Sequence, residues 1–112
     1  MYDLNTLAKE INKTAKEKGF YDTEETHEAY MNRACANLHD EVSELHEAFR
    51  NGLLFSNTDK NVRMTYAEEE LADIIIRALD TACQLGVDMD NAVSNKMKYN
   101  LSRPYRHGNK KA

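Results

Sequence analysis

Apolar residues recur at three- and four-residue intervals along most of the chain, the period of a helix seen from its packed face. Leu4, Leu7, Ala8, Ile11 and Ala15 form the first series, and Gly19 closes it. Phe20 and Tyr21 follow as an expected hydrophobic anchor. A second, longer series starts near Thr23, where glutamates fill the opening turn. It runs through Tyr30, Ala34, Leu38, Val42, Leu45 and Phe49 to Arg50, and Asn51-Gly52 ends it. Residues 53–63 hold turn formers without a steady period and read as a loop. A third helix is expected from near Thr65, with Glu68, Glu69 and Glu70 in its first turns, through Leu71, Ile74, Ile75, Leu79 and Ala82 to Gly86. Asp88 or Asp90 caps a short fourth, which passes Ala92, Val93 and Met97 toward Tyr99. Pro104 ends regular structure.

The pattern therefore predicts an all-α fold, and glycine and proline usage agrees. A β domain wants turn residues roughly every 8–12 positions. Here there are four glycines and one proline in 112 residues. That length suits one domain, expected over 1–104, with 105–112 as a basic C-terminal arm. The longest aliphatic run is Ile74-Ile75-Ile76. A membrane-spanning helix needs roughly 20 such residues, so no membrane partner is expected. Met1-Tyr2-Asp3-Leu4-Asn5 has neither the basic nor the apolar part of a secretory signal, and the expected location is cytoplasmic. Cys35 and Cys83 stand far apart and form no CxxC pair, which suits free thiols rather than a disulfide scaffold or a zinc site.

Charge changes the picture. Residues 1–90 hold all 19 acids against 9 of the 15 basic residues, a net of −10. Residues 91–112 hold Lys96, Lys98, Arg103, Arg106, Lys110 and Lys111 and no acid, a net of +6. Such a chain suits a metal on its body and phosphate at its end; a solvated basic tail is the alternative.

Two acidic pairs carry the candidate chemistry. Glu41-Val42-Ser43-Glu44 and Glu70-Leu71-Ala72-Asp73 each place two carboxylates one helical turn apart on a single face. Apart from Arg77, one turn beyond Asp73, neither pair has a basic residue three or four positions away. Leu38, Val42 and Leu45 surround the first pair, and Leu71, Ile74 and Ile75 the second. Acids beside a packing stripe are costly to desolvate unless something positive meets them. Two such helices packed antiparallel bring four carboxylates together, an oxygen donor set suited to Mg²⁺, with Mn²⁺ as a second candidate. Ordinary surface acids are the alternative. Only Glu24 has His three positions later (His27), whereas a ferritin-like di-iron site requires Glu-x-x-His on two helices. No His-Glu-x-x-His, glycine-rich phosphate loop or Gly-x-Ser-x-Gly is present.

EVSE at 41–44 followed by ELAD at 70–73 resembles the ExxE…ExxD signature of the MazG-like all-α nucleoside triphosphate pyrophosphohydrolases. The stretch from Lys96 through Asn100 and Arg103 to Pro104-Tyr105-Arg106-His107-Gly108 is similar to that family's Lys…Asn…Arg segment and its terminal arm. EKGFYD at 17–22 resembles the start of phage and bacterial members, whereas residues 53–63 match nothing usable.

The resemblance implies a four-helix bundle that forms a homodimer or homotetramer, with part of each site built at a subunit contact. It implies Mg²⁺-dependent hydrolysis of a (deoxy)nucleoside triphosphate to the monophosphate and pyrophosphate, a task of nucleotide-pool control or house-cleaning. Glu41, Glu44, Glu70 and Asp73 match the metal ligands, with Glu41 or Glu44 also able to take the proton of the attacking water. Lys96, Asn100 and Arg103 match the phosphate-contacting positions. Asn37 shares the face of Glu41 and is a candidate for the base pocket, with Phe20, Tyr21, Tyr30 and Met31 as further wall candidates.

Two other readings stand beside it. One is a non-enzymatic helical module that binds nucleotide or nucleic acid through 96–111, where Tyr99 and Tyr105 interleave with basic residues. The net −10 of the body weighs against a long polyanion. The other is a MazG-like scaffold that serves only as an oligomeric binding protein; the presence of all four acids weighs against it.

Overall fold

A computed structural model of the chain describes residues 3–105. Arg106, His107 and the rest of the basic arm lie outside the described residues. Four helices make up the fold: α1 (Leu4–Glu17), α2 (His27–Arg50), α3 (Tyr66–Leu85) and α4 (Met89–Ser102). The described residues contain no strand, only an isolated bridge between Asn57 and Thr65.

Local chemistry sets most helix ends. Thr65 and Glu68 close a reciprocal capping box at the start of α3: Glu68 N–H donates to Thr65 Oγ1 (3.2 Å), and Thr65 N–H donates to Glu68 Oε1 (2.9 Å). α1 and α3 end alike. Gly19 and Gly86 take φ of +85° and +71°, open to glycine at little cost. The next residue's N–H then donates back into the last turn, Phe20 to Ala15 O and Val87 to Ala82 O.

α2 begins later than its apolar series predicts. Thr26, not Thr23, is the cap, and its Oγ1 accepts from Ala29 N–H. Tertiary bonds draw the preceding segment out of the helix: Tyr21 donates to Asp80 on α3, and Glu25 takes a two-pronged bond from Arg33.

α3 is the central helix, with α1 and α2 both packed antiparallel to it. The buried apolar residues are mostly small: Ala8, Ala34, Ala48 and Ala82, with Leu79 and Tyr30. α4 is tied to α1 at its first turn. Asp90 accepts from Leu4 N–H (2.7 Å), Asn5 accepts from Met89 N–H (2.8 Å), and Asp88 caps α4 through Asn91 N–H. No α4 residue is buried.

The expected packing stripe is partly inverted. Val42, Phe49, Leu71 and Ile75 are at least half exposed, while the acids Glu41, Glu69 and Glu70 are buried. Among the described residues no large apolar side chain is fully buried. The radius of gyration is 16.6 Å, against about 13 Å for a compact chain of this length. No described helix is long and apolar enough to cross a membrane.

Candidate metal centre

The antiparallel pairing of α2 with α3 sets Glu44 beside Glu70 and Glu41 beside Asp73. One carboxylate oxygen from each of these four residues lies within 4.8 Å of all the others. Oxygens on opposite sides of a Mg²⁺ ion are about 4 Å apart, so small side-chain movements bring this set to ligand spacing. Glu41 and Glu70 are buried, Asp73 is half-buried and Glu44 is exposed. The cluster is thus closed on the helix side and open on one edge.

The acids lack what buried acids ordinarily have. Glu41 Oε2 and Glu70 Oε2 are buried without a hydrogen-bond partner, a costly arrangement. Burial, then a proton-sharing bond with Glu44 and the charges around it, pushes Glu70 up to about 7. Burial and the charge of Glu41 also raise Asp73. The donor set is all oxygen, with two unpartnered atoms and charge that the protein leaves only partly compensated. These residues fit a hard divalent cation such as Mg²⁺ or Mn²⁺.

Two protein cations border the cluster. Arg77 Nε donates to Glu41 Oε1 (3.3 Å). Lys60, in the α2–α3 connection, pairs with the buried Glu69, and its charge also acts on Asp73. Arg77 stood out in the sequence only as a neighbour of Asp73. Lys60 gave no signal, because its position depends on how residues 51–65 fold back.

A cleft of about 470 Å³ opens beside the acids, between α1, α2, α3 and the α1–α2 connection. Asp73 and Arg77 line it, so it is continuous with the metal centre. Asn37 lines it as the candidate base-pocket residue, with Phe20, Tyr21 and Tyr30; Met31 does not. Its far wall is fixed by a polar network. Tyr21 donates to Asp80 Oδ2 (2.8 Å), and Tyr30 therefore donates to Tyr21 (3.1 Å). Asn12 donates to Asp80 Oδ1 (2.9 Å) and to Gln84 (3.3 Å). Arg33 stacks over both tyrosine rings, 5.7 and 5.4 Å from their centroids.

Lys96, Asn100 and Arg103 are placed elsewhere. Lys96 and Asn100 are exposed on α4, and Arg103 is the residue that ends it. Lys96 and Arg103 both stack on Tyr99, at 4.8 and 5.4 Å from its ring centroid. The chain brings its four acids together by itself but carries these three residues on the helix that packs against α1.

Compared with protein-family models, curated proteins and solved structures, the chain matches none of them.

Proposed function

We propose that the chain is a MazG-like nucleoside triphosphate pyrophosphohydrolase, hydrolysing a (deoxy)nucleoside triphosphate to the monophosphate and pyrophosphate. The observation that carries this reading is the convergence of Glu41, Glu44, Glu70 and Asp73 within 4.8 Å. A bound Mg²⁺ supplies positive charge against the negative charge that builds on phosphate oxygens during cleavage. Glu41, Glu44, Glu70 and Asp73 hold it. A water attacks phosphorus and the bond to the pyrophosphate leaving group breaks. One carboxylate of the α2 pair takes the water's proton, and Glu44 is the one open to solvent. The cleft lined by Asn37, Tyr21 and Tyr30 receives the nucleoside, and its volume suits one.

The α4 residues enter through assembly. Val42, Phe49, Leu71 and Ile75 leave an apolar face uncovered on α2 and α3, an arrangement suited to a subunit contact. In a homodimer or homotetramer, Lys96, Asn100 and Arg103 of one copy meet the phosphates held by another. The reading places the protein in the cytoplasm, where such substrates are.

A panel of (d)NTPs with Mg²⁺, scored for monophosphate and pyrophosphate, tests the reaction. Release of both products in equal amounts supports it; no turnover on any nucleotide contradicts it. Lys96→Ala and Arg103→Ala are each expected to lower kcat/KM by about tenfold or more. Wild-type values for both would leave α4 outside the site.

A further inference from the structure

The α2–α3 connection is an ordered structure, and what it presents to the acids is a lysine. Ala67 N–H donates to Leu54 O, Tyr66 N–H to Ser56 O, and Thr58 N–H to Met64 O. The last bond closes residues 58–64 into a short loop with Lys60 inside it. The Lys60 side chain is 59% exposed, while its partner Glu69 is 10% exposed and adjoins the ligand candidate Glu70. Glu69 is also one turn before Asp73, so the ammonium stands beside the edge of the four-acid cluster. An ammonium has three donors and Glu69 engages one side of it.

The cation count around the cluster gives this lysine a use. Arg77 is committed to Glu41. A divalent ion offsets only part of four carboxylates, and a triphosphate then adds strong negative charge. Glu69 is buried, yet the Lys60 side chain that pairs with it stays 59% exposed, so the pair leaves the lysine open on its solvent side.

We infer that Lys60 is a phosphate-contacting residue: Glu69 holds its ammonium at the rim of the acid cluster, where it meets the phosphates of a metal-bound polyphosphate chain. This rests on the proposed reaction for its substrate class, but concerns a residue that the resemblance to MazG-like enzymes does not cover. Unlike the α4 cations, Lys60 belongs to the same chain as the acids it faces, so its contribution does not depend on assembly.

The test uses calorimetric binding of Mg²⁺–tripolyphosphate to the full chain, and of Mn²⁺ alone. Lys60→Met is expected to weaken tripolyphosphate binding by about tenfold or more. Lys60→Arg should recover most of that loss. Mn²⁺ binding should not weaken, since no ligand is removed. Glu69→Gln keeps an oxygen acceptor for the ammonium and should lose less than about threefold. Lys9→Met, on exposed α1 surface, controls for net charge and should bind as wild type. Unchanged tripolyphosphate binding by Lys60→Met overturns the inference. So do equal losses in Lys60→Met and Glu69→Gln, which would make the pair a loop tie. If the wild type hydrolyses nucleotides and Lys60→Met binds tripolyphosphate normally, only this inference fails. If tripolyphosphate binds in a Lys60-dependent way without any hydrolysis, the proposed reaction fails and the contact stands. A wild type that binds no Mg²⁺–tripolyphosphate overturns both.

Discussion

Asp73 and Asp80 lie two turns apart on the same face of α3, and both are half-buried among other polar groups. Around Asp80 the groups satisfy one another. Its two oxygens accept from Asn12 and Tyr21, Tyr21 accepts from Tyr30, and Asn12 also reaches Gln84. Around Asp73 they do not. Four carboxylates face each other, two buried oxygens have no partner, and Glu70 stays protonated up to about 7. A satisfied network fixes a helix crossing; an unsatisfied one of a single charge sign is completed by a ligand of the opposite sign. One helix thus carries a structural acid and a ligand-binding set seven residues apart, told apart by where their hydrogen bonds go.

The contrast breaks most sharply at Glu70. Glu70→Gln keeps the shape and removes the charge. It is expected to lower Mg²⁺-dependent hydrolysis by more than about a hundredfold, the upper end for residues that merely support a metal ligand. Helical circular dichroism should be unchanged. Full turnover by this variant would return the acids to ordinary surface groups.

Next in size is the pH dependence of the metal-free chain. Glu70 has an ordinary value of 4.5 and is raised to about 7 by folding. Between those values the folded chain holds a proton that the unfolded chain has lost. The associated stability is fully present below pH 4.5 and is lost as pH rises through 7, and the raised Asp73 acts in the same direction. Urea unfolding in chelator should therefore show falling stability from pH 5 to pH 8. Mg²⁺ should restore it at pH 8 and do little at pH 5. A flat profile, or one that rises with pH, would mean that the acids do not repel one another as their geometry implies.

Asp80 should respond in the opposite way. Asp80→Ala strands the Asn12 amide and the Tyr21 hydroxyl, at about 2 kcal/mol. That lowers Tm by about 8 °C. Metal affinity should hold, because Asp80 is no ligand. Smallest is Tyr21→Phe, which deletes one hydroxyl from the network and should cost about 1 kcal/mol. Calorimetric scans check both. A loss of Mn²⁺ binding in a folded Asp80→Ala variant would merge the two regions into one.

What the sequence made legible follows the reach of each interaction. The α3 capping box and the glycine at its end are contacts within a few residues, and both boundaries read correctly. The i, i+3 spacing put Glu41 with Glu44 and Glu70 with Asp73 on their faces, and helix pairing did the rest. The start of α2 differs from the pattern's reading because Thr23 and Thr26 are both cap residues; the long-range bond from Tyr21 to Asp80 and the bond from Arg33 to Glu25 decide between them. The packing face was misread in part, since Val42 and Leu71 follow helical period yet lie outside. Periodicity marks an apolar stripe without saying whether its own chain covers it. Asp80 joins partners 59 and 68 positions away, and Lys60 depends on a folded-back connection. No local pattern announces either.

The central claim is that the four acids form a divalent-metal site, and Mn²⁺ titration of the metal-free chain by calorimetry tests it most directly. At pH 6.5, run in buffers of different ionisation heat, the wild type should bind Mn²⁺ saturably. It should release a proton on binding, because Glu70 must ionise to become a ligand. Glu70→Gln should lose both the binding and the proton. Absence of saturable binding in the wild type, or wild-type binding by Glu70→Gln, would contradict the assignment.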